Sequence, residues 1–470
     1  MDEFKNRKVV VIGLDASGTA ACQLLKKAGA QVLGVDVPSE NPSQKQTSEL
    51  HALGIKIISE KDVPAKVDFV VHGSQVGAQH PVILKLAKKS IPVFSDLELA
   101  ARNFLCLSVA ITGTNGKTTT AELVSSMLES SQRKSIRAGT SGAPACSIVE
   151  QTRDLDFVTL DLNSFQLESI EHFRPSVAVI TNLPGDHMDR YASVGQYARA
   201  IGNVFKNQQV FDWAIVQSEA LAHLRALGIQ IPSKVITFSS QNSRADIHLD
   251  RGLLISTLPN WSGPLFNMEQ CSLRGPHNAE NVMAALAVGR VLHVPLEQMI
   301  LALKAYKPGP HRLETVAEIN GVKFINNSKA MNVDAVQQSI EALPAASGGQ
   351  PNIWLIAGGK DKGLNYHDLG PLLARRVKGA FLLGETREKL RASWSLFTPC
   401  TLVDSLLEAV QRAAEAAVPG DLVLLSPACS SFDMFRGYQE RGETFRAAVE
   451  QLAKTADSNC SLATAGAHSC

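Results

Sequence analysis

Val109-Ala-Ile-Thr-Gly-Thr-Asn-Gly-Lys-Thr-Thr-Thr120 is an apolar run that passes into a glycine turn, a lysine and three hydroxyls. Phosphate chemistry needs this order. Gly113 and Gly116 let the backbone N–H groups of the loop, with Thr114, Asn115 and Thr119 among its residues, close around phosphate oxygens. Lys117 adds a point charge, and the Thr118 hydroxyl can ligate Mg²⁺. Val124, Met127 and Leu128 then mark the inner face of a helix whose positive N-terminal end points at the phosphates. The general P-loop has a further glycine five residues before Gly116, where this chain has Ile111, so the match is to a shorter form of the loop. Strand, phosphate loop and helix make an α/β nucleotide site.

The flanking segments read as two more α/β modules. Upstream, Val9–Ile12 is a strand, Gly13–Gly18 a turn, Ala20–Ala28 a helix and Val32–Val35 a strand that ends at Asp36. The unit is like a dinucleotide fingerprint with Asp15 in place of the middle glycine, which favours a mononucleotide site over NAD. Downstream, Phe157–Asp161 and Val177–Asn182 are strands, and Gly185-Asp-His-Met-Asp-Arg-Tyr191 is a polar loop. Ligands of parallel sheets gather at the carboxyl ends of strands, which puts Asp161 and His187 near Lys117. Lys307-Pro-Gly-Pro-His-Arg312 has the composition of a hinge. Beyond it, the strands that open Phe324–Lys329, Ile353–Lys362 and Leu422–Ser431 each run into small or polar residues, as in a Rossmann-like domain. The expected division is 1–97, 98–307 and 308–453, followed by a disordered Ser-, Ala- and Thr-rich tail over 454–470.

With 470 residues, 45% hydrophobic, 19% charged and a net charge of +1, the chain has no basic groove for nucleic acid. No apolar run is long enough for membrane insertion. The eight cysteines form no Cys-x-x-Cys pair and no spacing suited to a metal, so free thiols in a cytoplasmic monomer are expected.

The P-loop variant, Asp186-His-Met-Asp-Arg-Tyr191, Pro310-His-Arg-Leu-Glu314, Ser328-Lys-Ala330 and Ser426-Pro-Ala-Cys-Ser-Ser-Phe-Asp433 occur in this order. Together they resemble the Mur ligases, and among them the MurD type, over residues 5 to 452. The resemblance implies Rossmann-like N- and C-terminal domains around a central P-loop ATPase domain. It also implies ATP-dependent addition of D-glutamate to UDP-MurNAc-L-alanine through an acyl phosphate. Lys117, His187, Arg312 and Lys329 would be the catalytic set. ATP would meet residues 113–119 with Asn278, Asn281, Arg312 and Asn327, and Mg²⁺ would meet Thr118, Asp161 and His187. The UDP-sugar would lie on Asp15, Ala16, Ser17, Asp36 and Thr140, and D-glutamate on Lys362, Ser431 and Tyr438. Two alternatives stay open: an inactive or weakly active nucleotide-binding relative, and an amide ligase for another carboxylate.

Several positions depart from that family's pattern. Asp161 replaces a glutamate and is about 1.5 Å shorter, against Mg–O distances of about 2.1 Å, so a strand shift or a bridging water is expected. Asn327 replaces an aspartate, Thr140 an asparagine and Met331 a threonine. The lysine that the family carbamylates is Ile201, aligned through Gln196-Tyr197 and Asn207. Lys206, five residues on, would face about 140° away on one helix.

Overall fold

The computed structural model describes residues 2–37, 44–346 and 348–466. Its strands form three sheets. The first is wholly parallel and contains Lys8–Ile12 (β1), Gln31–Val35 (β2), Lys56–Ile58 (β3), Phe69–His72 (β4) and Val93–Ser95 (β5), ordered 3-2-1-4-5. Both faces are covered, which explains why β1 is continuously apolar rather than alternating. Val9 and Val11 face a core with Leu24 and Leu25, while Val10 and Ile12 face another with Ile83 and Leu86.

The second sheet contains Leu107–Thr112 (β6), Ser135–Gly139 (β7), Phe157–Asp161 (β8), Val177–Ile180 (β9), Trp213–Gln217 (β10) and Lys234–Ser239 (β11). These six strands are parallel in the order 11-10-9-6-8-7. Ile247–Asp250 (β12), Leu253–Ser256 (β13) and Gly263–Asn267 (β14) extend it beyond β11, the last two pairing antiparallel. The strand order changes direction at β6, between β8 and β9, and the loop after β6 therefore opens at a switch point. Its helix, Lys117–Ser130, packs on Pro276–Val291, whose residues from Val282 to Gly289 are all buried.

The third sheet contains Glu314–Ile319 (β15), Val322–Asn326 (β16), Ile353–Gly358 (β17), Val377–Leu383 (β18), Cys400–Leu402 (β19) and Leu422–Leu425 (β20), in the order 15-16-20-17-18-19. Only β15 runs antiparallel to its neighbour. The loops after β16, β17 and β20 consequently collect at one end.

The chain divides into two compact units. Residues 1–185 and 193–306 form one, and 186–192 with 307–470 form the other. The first two sheets share a unit because the 3₁₀ segment Ala145–Asp154 lends Ala145, Cys146 and Val149 to the core of the first sheet.

One local expectation is corrected. The first long helix begins at Ala16 rather than Ala20, because the Asp15 carboxylate caps it through the Gly18 N–H. The final helix is Tyr438–Gly466. Residues 467–470 lie outside the described residues.

Candidate functional site

The loop after β6 is held from several sides. Gly116 has φ of +85°, and a Cβ there would come within 2.0 Å of Asn281 Oδ1, so only glycine lets the loop lie against that side chain. The Asn115 N–H donates to Asn182 Oδ1 at 2.9 Å, and Thr181 Oγ1 donates to the Asn115 carbonyl at 2.6 Å. Thr114 Oγ1 lies 3.1 Å from the Tyr197 hydroxyl. Lys117 folds over its own loop, donating from Nζ to the carbonyls of Gly113 and Thr114 at 2.9 and 3.0 Å. Asn281 Nδ2 donates to Asn278 Oδ1, and Asn278 Nδ2 donates to the Arg274 carbonyl. Both asparagines therefore stand beside the loop, close to its second glycine.

At the end of β8, Asp161 is buried, with 1% of its surface exposed. Its Oδ2 accepts from Thr118 Oγ1 at 2.7 Å and from Ser141 Oγ, while its Oδ1 is buried with no hydrogen-bond partner. The strand order thus delivers the carboxylate to the helix N-terminus that carries Thr118. Sequence reasoning missed Ser141. A serine in a polar turn has no signature until the fold brings the turn against β8.

Of the residues expected to hold a UDP-sugar, Asp15, Ala16, Ser17 and Asp36 lie at the carboxyl ends of β1 and β2, and Thr140 follows β7 in the second sheet. Asp15 Oδ1 accepts from the Ser17 hydroxyl and the Gly18 N–H, and Oδ2 accepts from Ser74 Oγ at 3.0 Å. Ala16 and Ser17 open the capped helix, and the Ser74 N–H donates to Ser17 Oγ at 2.6 Å. Burial raises the Asp36 carboxyl above its ordinary range, and its Oδ1 is another buried oxygen without a partner. Thr140 Oγ1 donates to Gln166 Oε1 at 3.3 Å. Gln166 Nε2 in turn donates to both oxygens of Asp96, whose carboxyl is pushed up to about 7 by burial and by the Asp15 charge.

In the second unit, Asp186 and Lys362 form a buried ion pair, with Nζ at 2.9 and 3.1 Å from the two carboxylate oxygens. Burial opposes the Asp186 charge. Lys362 and His187 outweigh it and hold the carboxyl far below the usual range. His187 has φ of +56°, donates its N–H to Asp186 Oδ1 and sets Nε2 3.7 Å from Oδ2. His187 thus falls in the unit of the third sheet, whereas Lys117, Thr118 and Asp161 fall in the other. Arg312 sits between His311 and Leu313, both at positive φ, in the turn that precedes β15.

Lys329 Nζ lies 5.2 Å from the centre of the Tyr438 ring. Asn327 is buried between the Leu313 N–H, which donates to its Oδ1 at 3.2 Å, and Ser339 Oγ, to which its Nδ2 donates. Ser431 Oγ is buried without a partner. Arg441, also missed, is buried and ties the loops after β16 and β20 together. It donates from Nε and Nη2 to Ser328, and from Nη1 to the carbonyls of Cys429 and Ser430. Burial lowers its guanidinium to about 10. Nothing in the sequence marks this arginine, because its partners lie 11 or more positions away.

Ile201 is fully buried in the helix Val194–Gly202. That helix ends before Lys206, and a 3₁₀ turn follows, so the expected 140° offset does not apply. Lys206 Nζ donates instead to the Ile170 carbonyl at 3.1 Å. Among the described residues no three His, Cys, Asp or Glu side chains are grouped to hold a metal, and no helix is long and apolar enough to cross a membrane.

Comparison with known proteins finds the Mur ligase middle domain over residues 111–289 and the Mur ligase glutamate ligase domain over 311–429. A UDP-N-acetylmuramoylalanine–D-glutamate ligase of Acidobacterium capsulatum is 38% identical over 94% of this chain and 96% of its own length. The protein of the same name from Geobacter metallireducens is 34% identical over 96% and 98%. Among solved structures, UDP-N-acetylmuramate–alanine ligase MurC of Thermotoga maritima covers 96% of this chain and all of its own, with a TM-score of 0.60 at 18% identity. The MurF ligase of the same organism, in complex with ADP, has the same coverage and a TM-score of 0.60 at 17%.

Proposed function

This chain belongs to the Mur ligase family, in the branch of the UDP-N-acetylmuramoylalanine–D-glutamate ligases, and from that premise we propose that it joins D-glutamate to UDP-N-acetylmuramoyl-L-alanine in the cytoplasm, with conversion of ATP to ADP and phosphate. The observation that carries this reading is the similarity to ligases of that name over 94% or more of the chain. The division at 97/98 and 307/308 and a monomeric state belong to the same proposal.

A carboxylate is a poor electrophile. Its oxygen attacks the γ-phosphorus, ADP leaves, and an acyl phosphate forms. The amine of D-glutamate then attacks the acyl carbon, phosphate departs, and the new amide nitrogen sheds a proton. The protein's part is positioning and charge neutralisation. The N–H groups of the loop 113–119 and the Lys117 ammonium receive the β- and γ-phosphates, with Asn278 and Asn281 on the adenine side. Thr118 and Asp161 suit Mg²⁺, which is held by one or two carboxylates along with phosphate and water oxygens. The partnerless Asp161 Oδ1 is the observation that favours a cation there. Mg²⁺ would neutralise phosphate charge.

Asp15, Ala16, Ser17, Asp36 and Thr140 are assigned to the UDP-sugar. Lys362, Ser431 and Tyr438 are assigned to D-glutamate, the buried Ser431 hydroxyl being suited to a desolvated carboxylate. His187, Arg312 and Lys329 complete the catalytic set, His187 as a metal ligand, and Asn327 is assigned to ATP. Phosphate release from ATP tests the reading, with each component omitted in turn. Release is expected only when both the UDP-sugar and D-glutamate are present. Release that ignores D-glutamate would contradict it.

A further inference from the structure

We propose that Ser141 is a positioning residue for the divalent cation of this site, holding one oxygen of Asp161 so that the other faces the metal. The inference rests on the assignment of Thr118 and Asp161 to that metal. Thr118 Oγ1 donates to Asp161 Oδ2 at 2.7 Å and Ser141 Oγ donates to the same Oδ2, which places the two hydroxyl oxygens 3.2 Å apart. Both bonds to Asp161 end on one carboxylate oxygen. The other, equally buried, receives none. A buried carboxylate oxygen without a donor is unfavourable, and the neighbouring hydroxyls could have been shared between the two oxygens. A cation ligated by Oδ1 explains the asymmetry.

The backbone keeps Ser141 in place. It lies in the turn Gly139–Gly142, where Gly139 and Gly142 have φ of +110° and +121°. A Cβ on Gly139 would come within 2.2 Å of the Asp161 carbonyl oxygen, so the turn lies directly on the end of β8. The Thr140 N–H donates to that same carbonyl at 2.7 Å, and the Gly139 N–H donates to the Ala143 carbonyl at 2.9 Å. The serine hydroxyl and the carboxylate are therefore fixed to one another through main chain as well as side chain. A short aspartate has few contacts of its own to set its rotation, and the second hydroxyl supplies them.

The test uses Mn²⁺ as probe and the full-length protein with ADP, reading free Mn²⁺ by electron paramagnetic resonance. Ser141→Ala is expected to weaken Mn²⁺ binding about tenfold, as removal of an outer-shell partner does. Ser141→Thr, which keeps the hydroxyl, should stay close to the parent protein, and Ser141→Cys, a weak donor of similar size, should fall between. ADP affinity in EDTA should be the same for all four proteins, and thermal melts should coincide. If Ser141→Ala and Ser141→Cys bind Mn²⁺ as the parent does, or if ADP binding in EDTA falls by the same factor, the positioning role is wrong. If the parent protein with ADP takes up no Mn²⁺, the metal assignment itself fails, and the inference with it.

Discussion

Removing the Lys117 ammonium takes away the one charge that the loop 113–119 offers to a transferring phosphoryl group. Its bonds to the Gly113 and Thr114 carbonyls are worth about 1.5–3 kcal/mol each, less than the stability of a typical folded domain. Lys117→Ala should therefore leave a folded protein whose kcat is lower by about 10³-fold or more, read from phosphate release beside a thermal melt. Ile201 leads to a second expectation. A buried isoleucine carries no carbamate, and Lys206 is engaged with the Ile170 carbonyl. Turnover should be the same in CO₂-depleted and bicarbonate-supplemented buffer at every Mg²⁺ concentration. A rate that falls on CO₂ depletion would mean that another lysine carries the group. The phosphate loop was legible in sequence because its chemistry depends on consecutive residues. Ser141, Asp186 and Arg441 were not, because each acts on a partner 11 or more positions away that only the fold delivers.

Between elements, the first two sheets meet through buried carboxylates. Glu98 accepts the N–H groups of Glu171, His172 and Phe173 at 2.9–3.0 Å and Arg102 Nε at 2.8 Å. Burial raises its pKa, but these donors outweigh that and leave it below its ordinary value. Among the described residues Asp96 has Gln166 alone as a side-chain donor, and it behaves oppositely. Its pKa is about 7 in the folded state and about 3.9 unfolded, so the folded protein binds the extra proton between about pH 4 and 7. Its stabilising contribution is therefore full below about pH 4 and is lost as pH rises toward 7, with a slope of up to about 1.4 kcal/mol per pH unit. Asp96→Asn removes this term. In denaturant titrations the variant should gain on the parent as pH rises from 5 to 7 and hold that gain at 8. A constant difference across this range would mean that Asp96 is ionised throughout. This joint was invisible in sequence, because Glu98 and Asp96 meet partners about 70 positions away. The apolar runs behind β1, β6 and β8 were plain, because a strand buried on both faces must be continuously hydrophobic. The start of the first helix was misplaced because a capping aspartate and the turn before it have the same composition.

At the scale of the whole chain, three α/β modules were legible from the alternation of apolar strands with polar turns. The grouping of 186–192 with the third sheet was not. It depends on the Asp186–Lys362 ion pair and on the Asp189 N–H, which donates to the Lys362 carbonyl at 3.1 Å, both joining segments some 170 residues apart in sequence. That pair also occupies the lysine assigned to D-glutamate, so substrate must compete with Asp186 or share the ammonium with it. The two substrates define the activity. It is tested most directly by mass spectrometry of purified protein incubated with ATP, Mg²⁺, D-glutamate and UDP-N-acetylmuramoyl-L-alanine. The expected product carries the mass of the UDP-sugar plus one glutamate less one water, and is absent when L-glutamate replaces D-glutamate. No product from this pair, with product from another carboxylate under the same conditions, would contradict the account.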